Sequence, residues 1–427
     1  MVNQKAVVVF DDERAVANAG VMLPALLAQR LGIAELVEEC VDLGARPGAA
    51  NPGRKVLSML AAMALGADCI EDCDVLRSGR TGAVLGHRVA APSTLGTFLR
   101  AFTFGHVRQL DKVLGLGLQR AWQAGAGPGD GRLVVDVDSF VGEVHGYAKQ
   151  GAGYGYTRQL GYHPILATRA DTGEVLHIRL RKGSANTSRG MLRFCDELVA
   201  RVDRAGAAGE KLLRADSGFW NAKTFARLDV ADWRFSIGVR MQPHVRRAVE
   251  LIPEGAWTTL EDYPETSIAQ VAETTIGEFR MIVRRVRTLD AQGELLPSWE
   301  HYPFATNRAE SLRLVEAEHR QHAVVELAIR DLKDQALAHF PSGRFTANAA
   351  WTVIAALAHN LMRWTQQIGL PQATTRTART LRRRLLTIPG RLTRTARRIT
   401  LHLPARWPWR EDFTAALNRL RALPPPA

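Results

Sequence analysis

Cysteine is scarce in this chain, and several short motifs of well-known chemistries are missing. Only 4 of the 427 residues are cysteine, and Cys69 and Cys73 stand four apart, on one face of a helix, with no CxxC pair. A disulfide-rich secreted fold and a structural zinc site are therefore not expected. The motifs GxxxxGK[ST], GxSxG and HExxH are also absent, which argues against a P-loop motor, a serine hydrolase and a zinc protease.

Long hydrophobic runs are missing as well. The longest, Ala347–Leu361, is interrupted by Asn348, His359 and Asn360 and is typical of a buried helix. The first residues, MVNQKAVVVFDDER, contain an apolar run that is too short for a signal peptide and is followed by acids. We therefore expect neither a membrane span nor a secretion signal.

Acidic residues are absent from one long segment. Between Gln335 and Arg410 there is no Asp or Glu and there are 13 Arg, so this segment alone accounts for the formal net charge of +13. A basic block on an otherwise neutral chain indicates a polyanionic partner, most often nucleic acid. A solvated tail or a helix on a membrane surface would have the same composition.

Hydrophobic periodicity and punctuation divide the chain into six segments. Apolar residues at spacings of three and four predict helices before residue 124, and runs rich in β-branched residues follow the Gly-rich stretch AGAGPGDGR. The segments are a helical N-terminal region (1–123, a candidate for DNA binding or dimerisation), a Gly-rich linker (124–132), the first part of the core (133–240), a β-rich insertion (241–300), the second part of the core with a long helix (301–370), and a basic C-terminal tail (371–427).

The order of predicted elements in the core defines its fold class. Strands over 133–140, 162–168 and 175–181 form a meander, with an Asp-Thr-Gly turn between the last two. A helix precedes each of the next strands, at 211–215 and 233–239. This order predicts an α/β fold with a mixed sheet flanked by helices.

Three groups of acids stand out against this background. Asp136 and Asp138 share one face of the strand LVVDVDSF, which indicates a functional site. The same pattern would also arise if that face simply met solvent at the edge of a sheet. Asp216 follows the strand KLLRA, where α/β sheets assemble their sites, and it is equally a good N-cap for the next helix. Glu326 lies in the predicted helix Val315–Phe340.

That helix carries a polar stripe. The spacing of three and four residues places on one face His319, His322, Glu326, Arg330 and Lys333. Such a carboxylate could bind a metal while the Lys holds a phosphate, but most charge stripes are only solvated helix faces. Taken together, three acids in a basic chain favour a site for two Mg²⁺ ions that acts on a phosphodiester.

Four segments resemble a known family when they are read in order. They are VVDVDSFVGEVHGYAKQGAGYGY, GYHPILA, RADSGFW and HAVVELAIRDLK. The chain resembles the insertion-sequence DDE transposases over about residues 15–370, and it is similar to the group numbered thirteen-eighty, with IS-four-like and piggyBac-type relatives. The Arg-rich tail is also typical of these proteins.

The resemblance implies an RNase H-like core with an Asp-Asp-Glu triad and a β-rich insertion before the Glu. The triad would be Asp138, Asp216 and Glu326, with Asp136 as the alternative first acid or an additional metal ligand. A related group has the signature Tyr-x2-Arg-x3-Glu-x6-Lys. Here both the Tyr and the Arg positions are His, at His319 and His322, whereas the Glu and Lys positions match.

The implied activity is cut-and-paste transposition with Mg²⁺ or Mn²⁺, by nicking DNA at terminal inverted repeats, forming hairpin ends and joining them to target DNA. A homodimer on DNA would hold two ends together, with no membrane involved, and the protein would be cytoplasmic and associated with a bacterial nucleoid. A base flipped from the hairpin could stack on Trp299 or another aromatic residue of the insertion, although such a residue could equally belong to the insertion's own core. The residues expected to contact DNA are Lys333, Arg330, His322, His319, Arg382, Arg383, Arg384 and Trp299.

Two other functions are compatible with the same fold. The chain could be a catalytically inactive or repurposed DNA-binding protein, or a metal-dependent nuclease that does not join strands. The presence of all three acids favours the active transposase, and the two His substitutions leave room for the inactive copy.

Overall fold

The structure is a computed structural model that describes residues 6–146, 148–155, 157–288, 298–396 and 398–425. Its contacts divide the chain into two compact units. The helical unit contains Met1–Gly117, Ala124–Ala126 and Asp331–Ala427, and the sheet unit contains Leu118–Gln123 and Gly127–Arg330.

Fourteen α-helices are found in the described residues. They are α1 (Met22–Arg30), α2 (Ile33–Cys40), α3 (Pro52–Ala64), α4 (Thr81–Leu85), α5 (Pro92–Arg100), α6 (Phe104–Ala121), α7 (Met191–Ala205), α8 (Ala222–Val230), α9 (Pro243–Glu250), α10 (Leu312–Arg320), α11 (Val325–Lys333), α12 (Phe345–Gly369), α13 (Ala378–Leu381) and α14 (Arg410–Ala422). Within the described ranges, no single helix is long and apolar enough to cross a membrane. One bent pair, Ala19–Arg30 with Ile33–Cys40, reaches that length and hydropathy only when its two helices are taken together.

Fifteen strands are found in the same ranges. They are β1 (Ala15–Val16), β2 (Leu133–Ser139), β3 (Gly142–Glu143), β4 (Gly153–Tyr154), β5 (Leu160–Tyr162), β6 (Ile165–Arg169), β7 (Val175–Arg179), β8 (Lys211–Ala215), β9 (Arg234–Gly238), β10 (Thr258–Thr259), β11 (Ser267–Ile276), β12 (Phe279–Thr288), β13 (Glu300–Thr306), β14 (Gly390–Thr395) and β15 (Arg398–His402).

The helical unit is built around α12. This helix is buried along most of its length, as the interrupted apolar run predicted, and several of its polar residues are satisfied locally. Asn348 accepts a hydrogen bond from the Ser342 amide at 2.9 Å, and the Trp351 indole donates to the Ala336 carbonyl at 2.7 Å. A helix buried on every side must satisfy its polar groups in this way, because no water reaches them.

The C-terminal residues belong to the folded body of the helical unit, which differs from the basic tail predicted over 371–427. They form α13, α14 and the hairpin of β14 and β15, which pairs with β1 in the order β1-β14-β15. Scattered apolar side chains anchor them: Leu386, Ile388 and Leu420 are each at most 1% exposed. The Arg/Thr-rich composition hid these anchors, because they do not recur with one regular period.

The sheet unit is organised by nine strands in the order β10-β11-β12-β13-β9-β8-β2-β6-β7. β2 pairs in parallel with β8, and β8 pairs in parallel with β9, whereas the remaining neighbours are antiparallel. Helix α7 packs on β7, and α9 and α10 pack on β11. The mixed sheet flanked by helices is therefore confirmed, and β6 and β7 form the predicted hairpin.

The segment predicted as an insertion over 241–300 extends this same sheet. β13 pairs with β9, and β12, β11 and β10 follow outward. The extension has a small apolar core, whose members are Leu260, Ala269, Val271, Ile282, Val286, Phe304 and Val315. Residues 289–297 lie outside the described residues.

The long helix predicted over Val315–Phe340 is wrong as a single element. It is divided into α10 and α11 by a 3₁₀ turn, Gln321–Val324, and α11 ends at Lys333. The physical reason lies in the contacts of that turn with the central strands, which position the candidate site.

Candidate active site

Two of the predicted acids stand at the carboxyl ends of neighbouring parallel strands. In the ladder of β2 and β8, Val137 is paired with Ala215. The next residues along the two strands are Asp138 and Asp216, so the ladder brings both acids to one edge of the sheet. Parallel strands are about 4.8 Å apart. The strand pairing therefore puts two carboxylates close together that are distant in the sequence.

Asp216 also caps the turn that follows β8. Its Oδ1 accepts a hydrogen bond from the Gly218 amide at 2.8 Å, at the start of the short 3₁₀ helix Ser217–Phe219. The turn lies close against β9, because a Cβ at Gly238 would come within 2.6 Å of the Ser217 nitrogen. The capping role considered for Asp216 is thus present, and it fixes the direction in which the carboxylate points.

Glu326 contributes the third acid from the first turn of α11, where its side chain is exposed. Burial, together with the smaller effect of the negative charges of Asp216 and Glu326, raises the pKa of Asp138 to about 6, against the Ser139 amide and His322, which lower it. The three acids therefore sense one another electrostatically. The oxygens of all three acids do not lie within 4.8 Å of one another as one set.

Asp136 is placed differently from Asp138. It is fully buried, and the guanidinium of Arg214 forms a bidentate pair with it: Nε donates to Oδ1 at 2.7 Å and Nη2 donates to Oδ2 at 2.8 Å. Arg214 stands directly opposite Asp136 in the parallel ladder and is 3% exposed. Both carboxylate oxygens of Asp136 are therefore engaged by a cation of the protein.

Arg214 also holds the helix that leads to Glu326. Its Nη1 donates to the carbonyl of Glu318 and its Nη2 donates to that of Gln321 at 3.3 Å. In a continuous α-helix these carbonyls would accept amides four residues later. Because Arg214 binds them, the end of α10 is capped by a cation, and the chain passes through a 3₁₀ turn before α11 begins.

The two histidines of the predicted stripe dock the same junction. His322 Nε2 donates to the carbonyl of Val137 at 3.2 Å. His319 stacks on Phe304 with ring centroids 4.0 Å apart and lies 2.8 Å from the Ser236 hydroxyl through Nδ1. Burial lowers the pKa of His319 to about 3, with nearby positive charges adding to the effect, so this ring stays neutral.

The remaining residues of the stripe are solvent-facing. Arg330 and Lys333 are both exposed on α11, one and two turns beyond Glu326. They follow the helical spacing that the sequence predicted. Their exposure makes them accessible to a polyanion.

Trp299 takes part in stacking within the protein. The Arg285 guanidinium lies 4.1 Å from the ring centroid of Trp257 and 4.3 Å from that of Trp299, and Arg287 lies 4.4 Å from Trp299. Tyr302 stacks in the same manner, with Arg284 at 4.9 Å. The aromatic rings of the extension thus stack on the guanidinium groups of arginines in β12.

The three tail arginines differ in accessibility. Arg382 is half-buried, and burial lowers its pKa. Arg384 lies 5.4 Å from the ring centroid of Trp409, and its carbonyl accepts the indole of Trp407 at 2.8 Å. Of the three, only Arg383 is exposed.

Sequence reasoning overlooked Arg214. The signal was present in RADSGFW, because alternation places Arg214 on the same face as Asp216, just as Asp136 shares a face with Asp138. Arg214 and Asp136 each stand two residues before one of the acids. Once the two strands are known to be neighbours, this spacing predicts that Arg214 and Asp136 lie opposite each other. The pairing of β2 with β8 could not be read from either strand alone.

Acids gathered at the edge of a mixed α/β sheet, in a chain with a strongly basic segment, characterise metal-dependent enzymes that act on nucleic acids. The family model described as Transposase DDE domain group 1 matches residues 1–425, and the chain belongs to this family. It is a DNA transposase, and the family implies metal-dependent nuclease or transferase activity. Enzymes of this family use divalent metal ions and bind DNA.

Among solved structures, the chain is similar to a piggyBac transposase in a synaptic complex with hairpin DNA. The identity is 12%, the match covers 87% of this chain and 80% of that one, and the TM-score is 0.45. No curated protein matches the chain.

Proposed function

We propose that Asp138, Asp216 and Glu326 are the acidic triad with which this transposase cleaves and joins DNA. The observation that carries the proposal is the pairing of β2 with β8, which places Asp138 beside Asp216. The raised pKa of Asp138, to which burial and both other acids contribute, agrees with it. Like charges held together without a function would be selected against, since they destabilise the fold. Active sites are where such perturbed groups gather.

The donor set fits a hard divalent cation. Carboxylate oxygens are the ligands that Mg²⁺ and Mn²⁺ prefer, and a cation would offset the burial and the like charges that raise the pKa of Asp138. We propose Mg²⁺ or Mn²⁺, two ions, held by Asp138, Asp216 and Glu326. When bound, such ions activate the attacking oxygen and stabilise the leaving oxygen of a phosphodiester.

Asp136 has a different part in this proposal. Because Arg214 engages both of its oxygens, Asp136 supports the site by holding Arg214 and is not proposed as a metal ligand. Arg214 is a positioning residue: it joins β2, β8 and the end of α10, and so sets the place of Glu326 relative to Asp138. His322 reinforces the same docking through Val137.

We further propose that β2, β6, β7, β8 and β9 form an RNase H-like core. Their order, β7-β6-β2-β8-β9, combines an antiparallel meander with two parallel strands that each follow a helix. This supports the assignment made from the motifs. The acids stand on the first and fourth strands of this core, and the third acid follows the extension.

The reaction proposed for this site is cut-and-paste transposition. Each step is an in-line attack on phosphorus: water nicks the strand at a terminal inverted repeat, the freed 3′-hydroxyl forms a hairpin, and the reopened end attacks target DNA. The chain's own groups bind and orient the phosphodiester, with Arg330 and Lys333 accessible beside Glu326 on α11. A homodimer that joins two ends belongs to the proposal.

The test is a strand-cleavage assay on duplexes carrying the repeats that flank the gene, with Mn²⁺ or Mg²⁺. Asp216→Asn keeps the oxygen that caps Gly218 but removes the charge, so it should fold and bind DNA yet cleave at least about 10²-fold more slowly. Asp203→Asn, an exposed acid on α7, is the matched control and should cleave normally.

A second readout does not depend on activity. Mn²⁺ should raise the melting temperature of the wild type and of Asp203→Asn, and raise it less for Asp216→Asn, because an ion that binds only the folded state stabilises it. If the wild type binds DNA but neither cleaves it nor responds to Mn²⁺, the inactive DNA-binding copy replaces the present proposal. Nicking without joining would favour the nuclease.

A further inference from the structure

The C-terminal hairpin, β14 with β15, stands apart from the rest of the helical unit in its pairing. β1 covers only the start of β14, where Ala15 pairs with Arg391 and Val16 with Gly390. The Leu392 amide still donates to the Arg14 carbonyl at 2.9 Å. From Thr393 onward, β14 pairs only with β15 among the described strands, and β15 is the last strand of its three-stranded sheet. The outer part of the hairpin is therefore a two-stranded ribbon.

The register sorts the side chains of this hairpin into two unlike faces. Residues opposite each other in an antiparallel pair lie on the same face, and neighbours along a strand alternate. One face carries Arg391, Thr393 and Thr395 opposite His402, Thr400 and Arg398. The other face carries Leu392 and Arg394 opposite Leu401 and Ile399. We call the first the polar face; all six of its side chains can donate a hydrogen bond.

The polar face is also accessible and positive. Arg391, Thr395 and Arg398 are exposed, and Thr393 and His402 join across the strands through a 2.9 Å hydrogen bond. Arg391 approaches Asp12 at 3.7 Å, but both side chains are about half exposed or more, where such pairs contribute little. Within the described residues, Arg398 has no acidic partner.

Several arginines of the sheet unit are paired with acids instead. There, Arg214 is paired with Asp136, Arg285 with Glu254 and Arg308 with Glu310. Around the hairpin no acid is present in the sequence between Gln335 and Arg410. Apart from the exposed pair of Arg391 with Asp12, the arginines of the hairpin have no acidic partner within the described residues, so the charge of Arg398 is available to an external anion.

We propose that the polar face of the C-terminal hairpin is a contact surface for duplex DNA. A two-stranded ribbon fits the major groove of B-DNA, which is about 12 Å wide, and Arg and Thr side chains are common donors to phosphate oxygens. The inference rests on the DNA-transposase function, and it adds a surface separate from the residues of the acidic triad.

The hairpin supplies its own matched control. Arg398 lies on the polar face and Arg394 lies on the opposite face, and both are exposed. Arg398→Gln and Arg394→Gln therefore remove the same charge from the same hairpin and differ only in direction. DNA affinity of the full-length variants would be measured by anisotropy between 50 and 200 mM salt, values in the range where phosphate contacts respond strongly.

Arg398→Gln should weaken binding roughly tenfold at the low-salt end and reduce the salt slope by about 0.9, as expected for one lost phosphate contact. Arg394→Gln should leave both close to wild type. Thr400→Val removes a hydroxyl without changing charge or shape, and should weaken binding while leaving the salt slope unchanged. Melting temperatures would confirm that all three variants are folded.

Three results would overturn the proposal. Equal losses for Arg398→Gln and Arg394→Gln would mean that only net charge matters, and no loss in either would mean that the hairpin does not contact DNA. Vesicles of phosphatidylglycerol provide a second anionic surface; binding to them that Arg398→Gln alone abolishes, with DNA affinity intact, would assign the face to membranes instead. Because these measurements report binding only, they stay informative even if the proposed triad fails its cleavage test.

Discussion

At the scale of single residues, the most informative group is the Asp138 carboxyl. Burial comes first among the causes that raise its pKa to about 6, from an ordinary value of 3.8, and Asp216 and Glu326 add to it. Such an acid lowers the stability of the protein at neutral pH. The same arrangement prepares it to receive a cation, so the cost in stability and the proposed function have one origin.

The first prediction concerns the pH dependence of stability. Because the folded pKa lies above the unfolded one, the folded state binds the proton more tightly, and the free energy of unfolding should fall as the pH rises from about 4 to about 6. Asp138→Asn removes this penalty. It should therefore be more stable than wild type at pH 7.5, by on the order of 1–3 kcal/mol, and gain little at pH 4.

Urea unfolding in EDTA at the two pH values measures the difference, with Asp203→Asn as the control for loss of an exposed acid. If Asp138→Asn were less stable than wild type at pH 7.5, the ionised Asp138 carboxylate would be stabilised by favourable contacts and not destabilised by its surroundings. The addition of Mn²⁺ should narrow the gap, since it stabilises the wild-type carboxylate.

At the scale of elements, the junction between α10 and α11 decides where the third acid stands. The hydrophobic period ran through both helices, so the sequence indicated one long helix. Arg214 takes the carbonyls of Glu318 and Gln321, and His322 docks on Val137, so the chain changes to a 3₁₀ turn there. Long-range contacts of this kind override a local pattern.

The second prediction separates stability from positioning at this junction. Arg214→Met leaves the Asp136 charge buried and alone, which should cost about 3–5 kcal/mol of stability. The double variant Asp136→Leu with Arg214→Met replaces the whole pair by apolar groups and should recover most of that loss. It still lacks the bonds to Glu318 and Gln321, so its cleavage should stay at least about tenfold below wild type.

The double variant therefore needs two measurements, thermal unfolding and single-turnover cleavage at several Mn²⁺ concentrations. A displaced Glu326 should raise the Mn²⁺ concentration needed for half-maximal cleavage, while DNA affinity is unchanged. Full recovery of cleavage along with stability would show that Arg214 only neutralises Asp136, and the positioning role would be lost.

At the scale of the whole molecule, the compact units are assembled from distant parts of the chain. The helical unit joins Met1–Gly117 to Asp331–Ala427, and its C-terminal residues are integral to it. Helix α14 packs on α1 and α12, and a Cβ at Gly369 would lie 3.0 Å from the Ala416 Cβ. The basic segment is therefore part of a folded body.

The third prediction follows from that assembly. A chain ending at residue 370 loses six large apolar side chains that are each at most 5% exposed: Leu381, Leu385, Leu386, Ile388, Phe413 and Leu420. At about 1.5–3 kcal/mol each, their burial is comparable to the whole stability of a typical domain. The helical unit should then fail to melt cooperatively, as seen by circular dichroism; an unchanged transition would mean that residues 371–427 behave as a free tail after all.

The sequence by itself determined the family, the class of fold and the acids to examine, because strand alternation, helical spacing and motif order are local properties of the chain. It also located the positive charge, which is a matter of composition. Tertiary structure alone decided that Arg214 binds Asp136 and breaks the long helix, that the insertion extends the central sheet, and that the tail is folded. These depend on contacts between residues far apart in the chain, whose geometry no local period encodes.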